Sequence, residues 1–363
     1  MGIPMKAAFA VATLLVATTG GTALADTTAG VDRKVVQQGL DEVVQAGVLG
    51  VQLRVTHGWE HFTARSGTAE LGSNRPVPLN GRFRAGSITK TFVSTVVLQL
   101  VGEGEVDLDA PVVRYLPGLI DQRITVRHLL QHTSGLYDHN NALPFDPAGF
   151  EQIRYRHWEP EELVAISTSR PLEFQPGTKW EYSNTNYVVA GLLIEKITGR
   201  PLERVVEHRV LKPLRLNDTV LPRDDDRIHG PHAHGYWAID GKPVDITRFN
   251  PSVFWAEGNI VSTTKDLDTF FAALAGGRLP GPAQQRELTR ATAVSPGYGL
   301  GLSIQVLPCG TTAWGHDGGV PGFASLVLTT PDTKKRAVLS ATTSARVGDP
   351  SPGLQKILGE IFC

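Results

Sequence analysis

The 363-residue sequence is poor in the groups that would commit it to several large classes of protein. Two cysteines and two methionines exclude a disulfide-dense scaffold, and a chain this long buries enough apolar surface to fold without staples. Neither sign of charge is in excess. Lys and Arg number 35 against 36 Asp and Glu, with no run of like charge longer than Asp224-Asp225-Asp226. Nucleic acid, whose binding rests on neutralising phosphates, has no electrostatic footing here. No Gly-x-Ser-x-Gly element occurs, which removes the nucleophile elbow of an α/β-hydrolase. His128-Leu129-Leu130-Gln131-His132 has the spacing of a zinc-protease helix but lacks the glutamate base at its second position. His229, His232 and His234 share a Pro/Gly-rich loop without a further ligand set beside them, so surface histidines are the reading and no metal or cofactor is expected.

What is present begins with a leader. Lys6 precedes an apolar stretch from Ala7 to Ala17, and Ala23-Leu24-Ala25 has the small-x-small form of a cleavage site. Eleven apolar residues fall well short of the ~20 that span a bilayer. Residues 1–25 therefore read as a secretory signal peptide cleaved near Ala25/Asp26, giving a secreted protein without a stable membrane anchor. In an exported chain the sparse pair Cys309 and Cys363 reads as a structural disulfide, tying the C-terminal helix to a strand about fifty residues earlier. Such a bridge is worth roughly 2 to 4 kcal/mol.

Apolar residues at Val35, Val36, Leu40, Val43 and Val44 predict a helix over 31–46 ended by Gly47. Alternation over 50–56 and 60–66 predicts two strands around His57-Gly58. Helical signals dominate from Thr91 to Leu214, and strands return from about Gly297, with a turn at Pro331-Asp332-Thr333 between 324–330 and 336–342. A helix with the apolar face Leu354, Ile357, Leu358, Ile361 and Phe362 closes the chain. The order predicts an α/β sheet domain assembled from 26–85 and 245–363, a helical domain over 86–244, and a cleft between them.

Three short constellations carry chemistry. In Ala85-Gly86-Ser87-Ile88-Thr89-Lys90 a serine opens a helix and a lysine three residues on shares its face, so the two can exchange a proton. Ser262-Thr263-Thr264-Lys265 has the same form, but Ser262 reads as the N-cap of the amphipathic helix that follows. The helix after Ser87 has few polar positions and must be buried nearly all round. The second constellation, Tyr182-Ser183-Asn184, sits in a loop after Pro176-Gly177. A phenol beside a lysine ammonium has a lowered pKa and can shuttle a proton; taken alone, the segment also reads as a turn with an aromatic plug. The third, Trp314-Gly315-His316-Asp317-Gly318-Gly319, ends a predicted strand whose glycines let backbone N–H groups approach a ligand.

In this order, Ser-x-x-Lys, Tyr-x-Asn and His-x-Gly resemble the penicillin-recognising serine hydrolases, in the branch of class C β-lactamases and soluble D-alanyl-D-alanine carboxypeptidases, and in particular the secreted DD-carboxypeptidase type. His132-Thr133-Ser134-Gly135-Leu136, Pro176-Gly177-Thr178 and Tyr298-Gly299-Leu300-Gly301 are accessory matches. The resemblance implies a β-lactamase-like fold, an antiparallel sheet flanked by helices with a mostly helical insertion. It implies that Ser87 is acylated, Lys90 activates it, Tyr182 relays protons, Asn184 holds the acyl-side amide, and the backbone N–H groups of Ser87 and Gly319 form an oxyanion hole. His316 would contribute positive potential, and Trp255 and Phe145 are candidate cleft walls. The implied activity is D-alanyl-D-alanine carboxypeptidase or D-stereospecific peptidase, with β-lactams as inhibitors or substrates and small peptides, amides, esters or peptidoglycan stem peptides as partners. An esterase, a β-lactamase or a non-catalytic penicillin-binding sensor would carry the same residues.

One position departs from the pattern. The middle residue of the third motif, usually Thr or Ser, is Asp317, followed by Gly318. A carboxylate beside a substrate carboxylate is repelled, so the expectation is a preference for substrates that lack a C-terminal charge there, or that present an amine to Asp317.

Overall fold

The computed structural model describes residues 30–346 and 348–363; the expected leader lies outside them. Helices run over Arg33–Gln45 (α1), Thr89–Gly102 (α2), Val126–Leu130 (α3), Pro147–Ile153 (α4), Pro160–Thr168 (α5), Thr185–Thr198 (α6), Leu202–Val206 (α7), Lys212–Leu214 (α8), Trp255–Gly258 (α9), Thr264–Ala275 (α10), Pro282–Leu288 (α11) and Ser351–Phe362 (α12). Strands run over Val48–His57 (β1), Glu60–Gly67 (β2), Phe83–Arg84 (β3), Tyr236–Ile239 (β4), Lys242–Asp245 (β5), Val261–Ser262 (β6), Ser303–Val306 (β7), Thr312–Val320 (β8), Phe323–Thr329 (β9) and Lys335–Thr343 (β10). None of the helices among the described residues is long and apolar enough to cross a membrane.

Six strands form one antiparallel sheet in the order β2-β1-β10-β9-β8-β7. It is built from both ends of the described chain, as the sequence implied, with helices α2 to α11 emerging between β2 and β7. Successive side chains of a strand point to opposite faces, and here both faces are covered. Leu326 and Leu328 of β9, with Ala337 and Leu339 of β10, pack toward α1 and α12 in one cluster. Val327 and Val338, one residue out of phase, join the larger cluster formed with α2, α6 and α10. The architecture is the mixed α/β arrangement expected of a β-lactamase-like fold.

Cys309 and Cys363 are joined, 54 residues apart in sequence. Cys309 lies in the turn between β7 and β8, not within a strand. Thr263 rather than Ser262 caps α10, its side chain accepting from the Asp266 N–H. Ser262 is extended, pairs with Phe83 in the β3–β6 ladder and bonds Thr219 at 2.8 Å. The loop histidines have local acceptors: His229 bonds Asp225, His234 bonds Asp245 at 2.7 Å, and His232 bonds the Gly230 carbonyl at 2.7 Å.

Candidate active site

Ser87 lies on a 3-10 turn, Gly86–Ile88, at the head of α2. The turn is held from two sides, by Ala85 N–H donating to the Ile260 carbonyl at 2.8 Å and by Ser325 Oγ of β9 donating to the Ala85 carbonyl at 2.9 Å. Glycine permits the close approach of β8. A Cβ on Gly86, which has φ of +55°, would lie 2.7 Å from the Gly319 nitrogen, and a Cβ on Gly318 would lie 2.0 Å from the Ala85 oxygen. A Cβ on Gly319 would meet nothing within 4 Å. The strand therefore presses the Gly319 amide against the Ser87 turn and leaves open space in front of it, the arrangement a pair of backbone N–H donors needs to meet a substrate oxygen.

Lys90, one turn beyond Ser87, is fully buried. Its Nζ donates to Ser87 Oγ at 2.9 Å, Asn184 Oδ1 at 2.7 Å, the Glu257 carbonyl at 2.7 Å and Glu257 Oε2 at 3.1 Å. Burial lowers the Lys90 pKa, against the opposing pull of Glu257, Asp138 and Asp317. A cation at a helix N-terminus is disfavoured by the dipole as well. The neutral amine is thus brought within reach as an acceptor for the Ser87 proton.

Tyr182 lies beside Ser87, whose hydroxyl works to lower its pKa, and its ring lies 5.1 Å from Lys90 Nζ. Its loop is braced by the His132 segment: the two rings stack at 4.1 Å, and the Glu181 N–H donates to the His132 carbonyl at 3.0 Å. Here the expected sign fails. Burial raises the phenol well above its ordinary value, and the charges of Asp317 and Glu257 push it the same way. Tyr182 is a neutral hydroxyl in the resting site, able to donate and accept but not a standing phenolate.

His316 corrects a second expectation. Its Nδ1 donates to the Asp317 carbonyl, which leaves Nε2 to accept from the Tyr298 hydroxyl at 2.9 Å. Burial lowers its pKa, so the ring is a neutral spacer and supplies no positive potential. Asn184 is also committed inside the protein. Its oxygen takes Lys90, and its Nδ2 donates to Asp138 at 3.0 Å, so both ends of the amide expected to hold substrate are occupied. Trp255 does not line the cleft at Ser87: its ring edge lies against Gly191 of α6, and the cavity it borders contains His157, Glu195 and Arg200. Phe145 is half-buried and stacks on Phe254 at 5.4 Å; Phe254 in turn lies against Gly258, next to the Ser87 turn. Asp317 and Gly319 are exposed, and Gly318 is buried between them.

The structure adds two carboxylates that sequence reading missed. Glu257 is buried between Lys90 and Asn140, whose Nδ2 donates to Oε1 at 3.0 Å. Asp138, also buried, receives Asn184 and the Asn140 N–H; desolvation and the nearby Glu257 push its carboxyl up to about 6. The sequence signal for Glu257 is a lone acid inside Pro251–Ile260, an otherwise uncharged and mostly apolar run. Asp138 follows the Ser134-Gly135-Leu136 turn without a distinguishing pattern.

The chain is similar to known proteins over most of its length. The family model described as Beta-lactamase matches residues 32–357. The solved D-stereospecific amidohydrolase from Streptomyces sp. superposes with a TM-score of 0.84 at 38% identity, covering 92% of this chain and 99% of that one. The D-amino acid amidase from Ochrobactrum anthropi SV3, solved with L-phenylalanine amide, superposes with a TM-score of 0.78 at 29% identity, covering 90% and 97%. Penicillin-binding protein 4* of Bacillus subtilis (strain 168) is 27% identical over 296 residues, 75% of this chain and 63% of that protein. The chain spans still less of the length of the next curated relatives it matches.

Proposed function

This chain belongs to the beta-lactamase family and is a serine hydrolase of it, and from that premise we propose that it cleaves D-amino-acid amides and peptides whose leaving side carries no negative charge. Ser87 is the nucleophile and forms the acyl-enzyme. Lys90 takes its proton, and the Tyr182 hydroxyl passes a proton to the leaving nitrogen and later returns one from water. The Ser87 and Gly319 N–H groups hold the oxyanion. Asn184 keeps Lys90 in place. Secretion fits this role, with D-peptides outside the cell as the substrates.

The observation that carries the reading is the charge around the nucleophile. Asp317 is exposed beside Gly319, Glu257 and Asp138 are buried behind Lys90, and Lys90 is already paired with Glu257. A substrate carboxylate entering beside Asp317 meets repulsion, whereas an amide or an ammonium does not. The names of the two solved relatives, a D-stereospecific amidohydrolase and a D-amino acid amidase, support the amide and the D-configuration. The test is Asp317→Thr. Its ratio of kcat/KM for a free-acid D-peptide over the matching C-terminal amide is expected to rise about 10-fold or more, the scale of removing one unit charge a few ångströms away. An unchanged ratio refutes the role of Asp317.

A further inference from the structure

Lys90 presents a counting problem. An ammonium has three N–H donors, yet four acceptors lie within 3.1 Å of Nζ, two of them on Glu257. A tetrahedral nitrogen has three directions besides its own Cε. Ser87 takes one and Asn184 a second, so the Glu257 carbonyl and carboxylate share the third. The same geometry serves both protonation states, because in the neutral amine the direction toward Ser87 becomes the lone pair. Glu257 is itself fixed from the far side by Asn140, and the carboxylate is 3% exposed.

We propose that Glu257 is the third member of a serine–lysine–carboxylate relay: its buried carboxylate aims Lys90 Nζ at Ser87 Oγ and balances the ammonium that forms when the amine takes the serine proton. The inference rests on the reading of Ser87 as nucleophile and Lys90 as its base. In acylation the Ser87 Oγ–H bond breaks and the proton bonds to the Nζ lone pair. Oγ bonds to the carbonyl carbon, whose π pair moves onto the oxygen. A unit positive charge appears on Nζ in a water-poor site, where an anion at 3.1 Å stabilises it far more than water would. When the tetrahedral adduct collapses, the C–N bond breaks, the leaving nitrogen receives a proton by way of the Tyr182 hydroxyl, and Lys90 returns to the amine. Glu257 touches no reacting atom and acts through Lys90 as a positioning residue.

Other charged and titratable groups face Lys90: Asp138 behind Asn184, Asp317 from β8, His132, His139 and His316, and the phenols of Tyr182 and Tyr187. All remain in place when residue 257 alone is changed. Glu257→Gln is close to isosteric, and a flip of the Asn140 amide would present its Oδ1, which has no partner among the described residues, to the new Nε2.

The assay is pre-steady-state acylation by p-nitrophenyl acetate across pH, since p-nitrophenolate leaves without a proton and the D-specific reading is not needed for turnover. Ser87→Ala reads the site itself; an S87A enzyme that still acylates overturns the site assignment and this proposal with it. In Glu257→Gln the plateau is expected to fall about 100-fold, the low end of a general-base contribution. Its acid limb is expected to move to lower pH, because the anion that favours the protonated amine is gone. Glu257→Asp, which keeps the charge at shorter reach, should return the limb to its wild-type position at a reduced plateau. A wild-type plateau or an unmoved limb in E257Q overturns the proposal. So does a limb in E257D displaced from its wild-type position to lower pH, a criterion that decides the matter if E257Q does not fold.

Discussion

Gly318→Ala is the substitution whose effect follows most directly from the packing of β8 against the Ser87 turn. The added Cβ would lie 2.0 Å from the Ala85 oxygen and 2.6 Å from Ser325 Oγ, where ordinary contact begins at 3.4 Å. Ser325 can turn away; the Ala85 carbonyl is backbone, so strand and turn must part by about 1.4 Å. Overpacking of this kind costs about 1–3 kcal/mol of stability, a fall of several degrees in Tm. The larger effect is on rate. The displacement carries the Gly319 N–H away from Ser87, and misplacement by about 1 Å, or loss of one oxyanion donor, costs on the order of 100-fold or more. The assay pairs thermal unfolding with burst-phase acylation, and Gly319→Ala is the control, since its Cβ would meet no protein atom within 4 Å. G319A should fold with wild-type stability. A G318A enzyme that acylates at the wild-type rate would refute the claim that these glycines set the oxyanion geometry.

Two further outcomes follow from other parts of the molecule. Asp138 has its carboxyl raised to about 6 from an ordinary 3.8, so the folded state holds a proton that the unfolded chain has lost, and stability attached to it declines as pH rises from about 4 to 6. Wild type measured against Asp138→Asn by denaturant unfolding should lose relative stability across that window; a difference constant between pH 4 and 6 would refute the shift. The Cys309–Cys363 bridge closes a 54-residue separation, for which the loop-closure estimate is about 4 kcal/mol. Reduction should lower Tm by several degrees, and an unchanged Tm with both thiols labelled would contradict the clamp.

The sequence made the buried setting of Ser87 and Lys90 legible because burial leaves a compositional trace. The run after Lys90 has too few polar positions to face water, and α2 is indeed buried on nearly every side. The terminal helix and the strands of β9 and β10 were visible for the same reason, although both faces of these strands are covered and their alternation reads as a continuous apolar run. What could not be read was charge brought from afar. Glu257 and Lys90 are 167 residues apart, and Asp138 reaches Asn184 across 46. A phenol near a lysine should be acidified, but burial, and after it the charges of Asp317 and Glu257, move Tyr182 the other way. His316 failed for a related reason: burial lowers its pKa, and its two nitrogens meet a carbonyl that accepts and a phenol that donates. The misassigned cap of α10 has a local cause, since Ser262 and Thr263 both cap well and the β3–β6 ladder takes Ser262.

The most direct test of the central claim compares initial rates on an acyl-D-Ala-D-Ala peptide and on its C-terminal amide, with Ser87→Ala as the blank. The charge arrangement around Asp317 requires faster turnover of the amide. Faster turnover of the free acid would contradict it and assign the enzyme to carboxypeptidase chemistry instead.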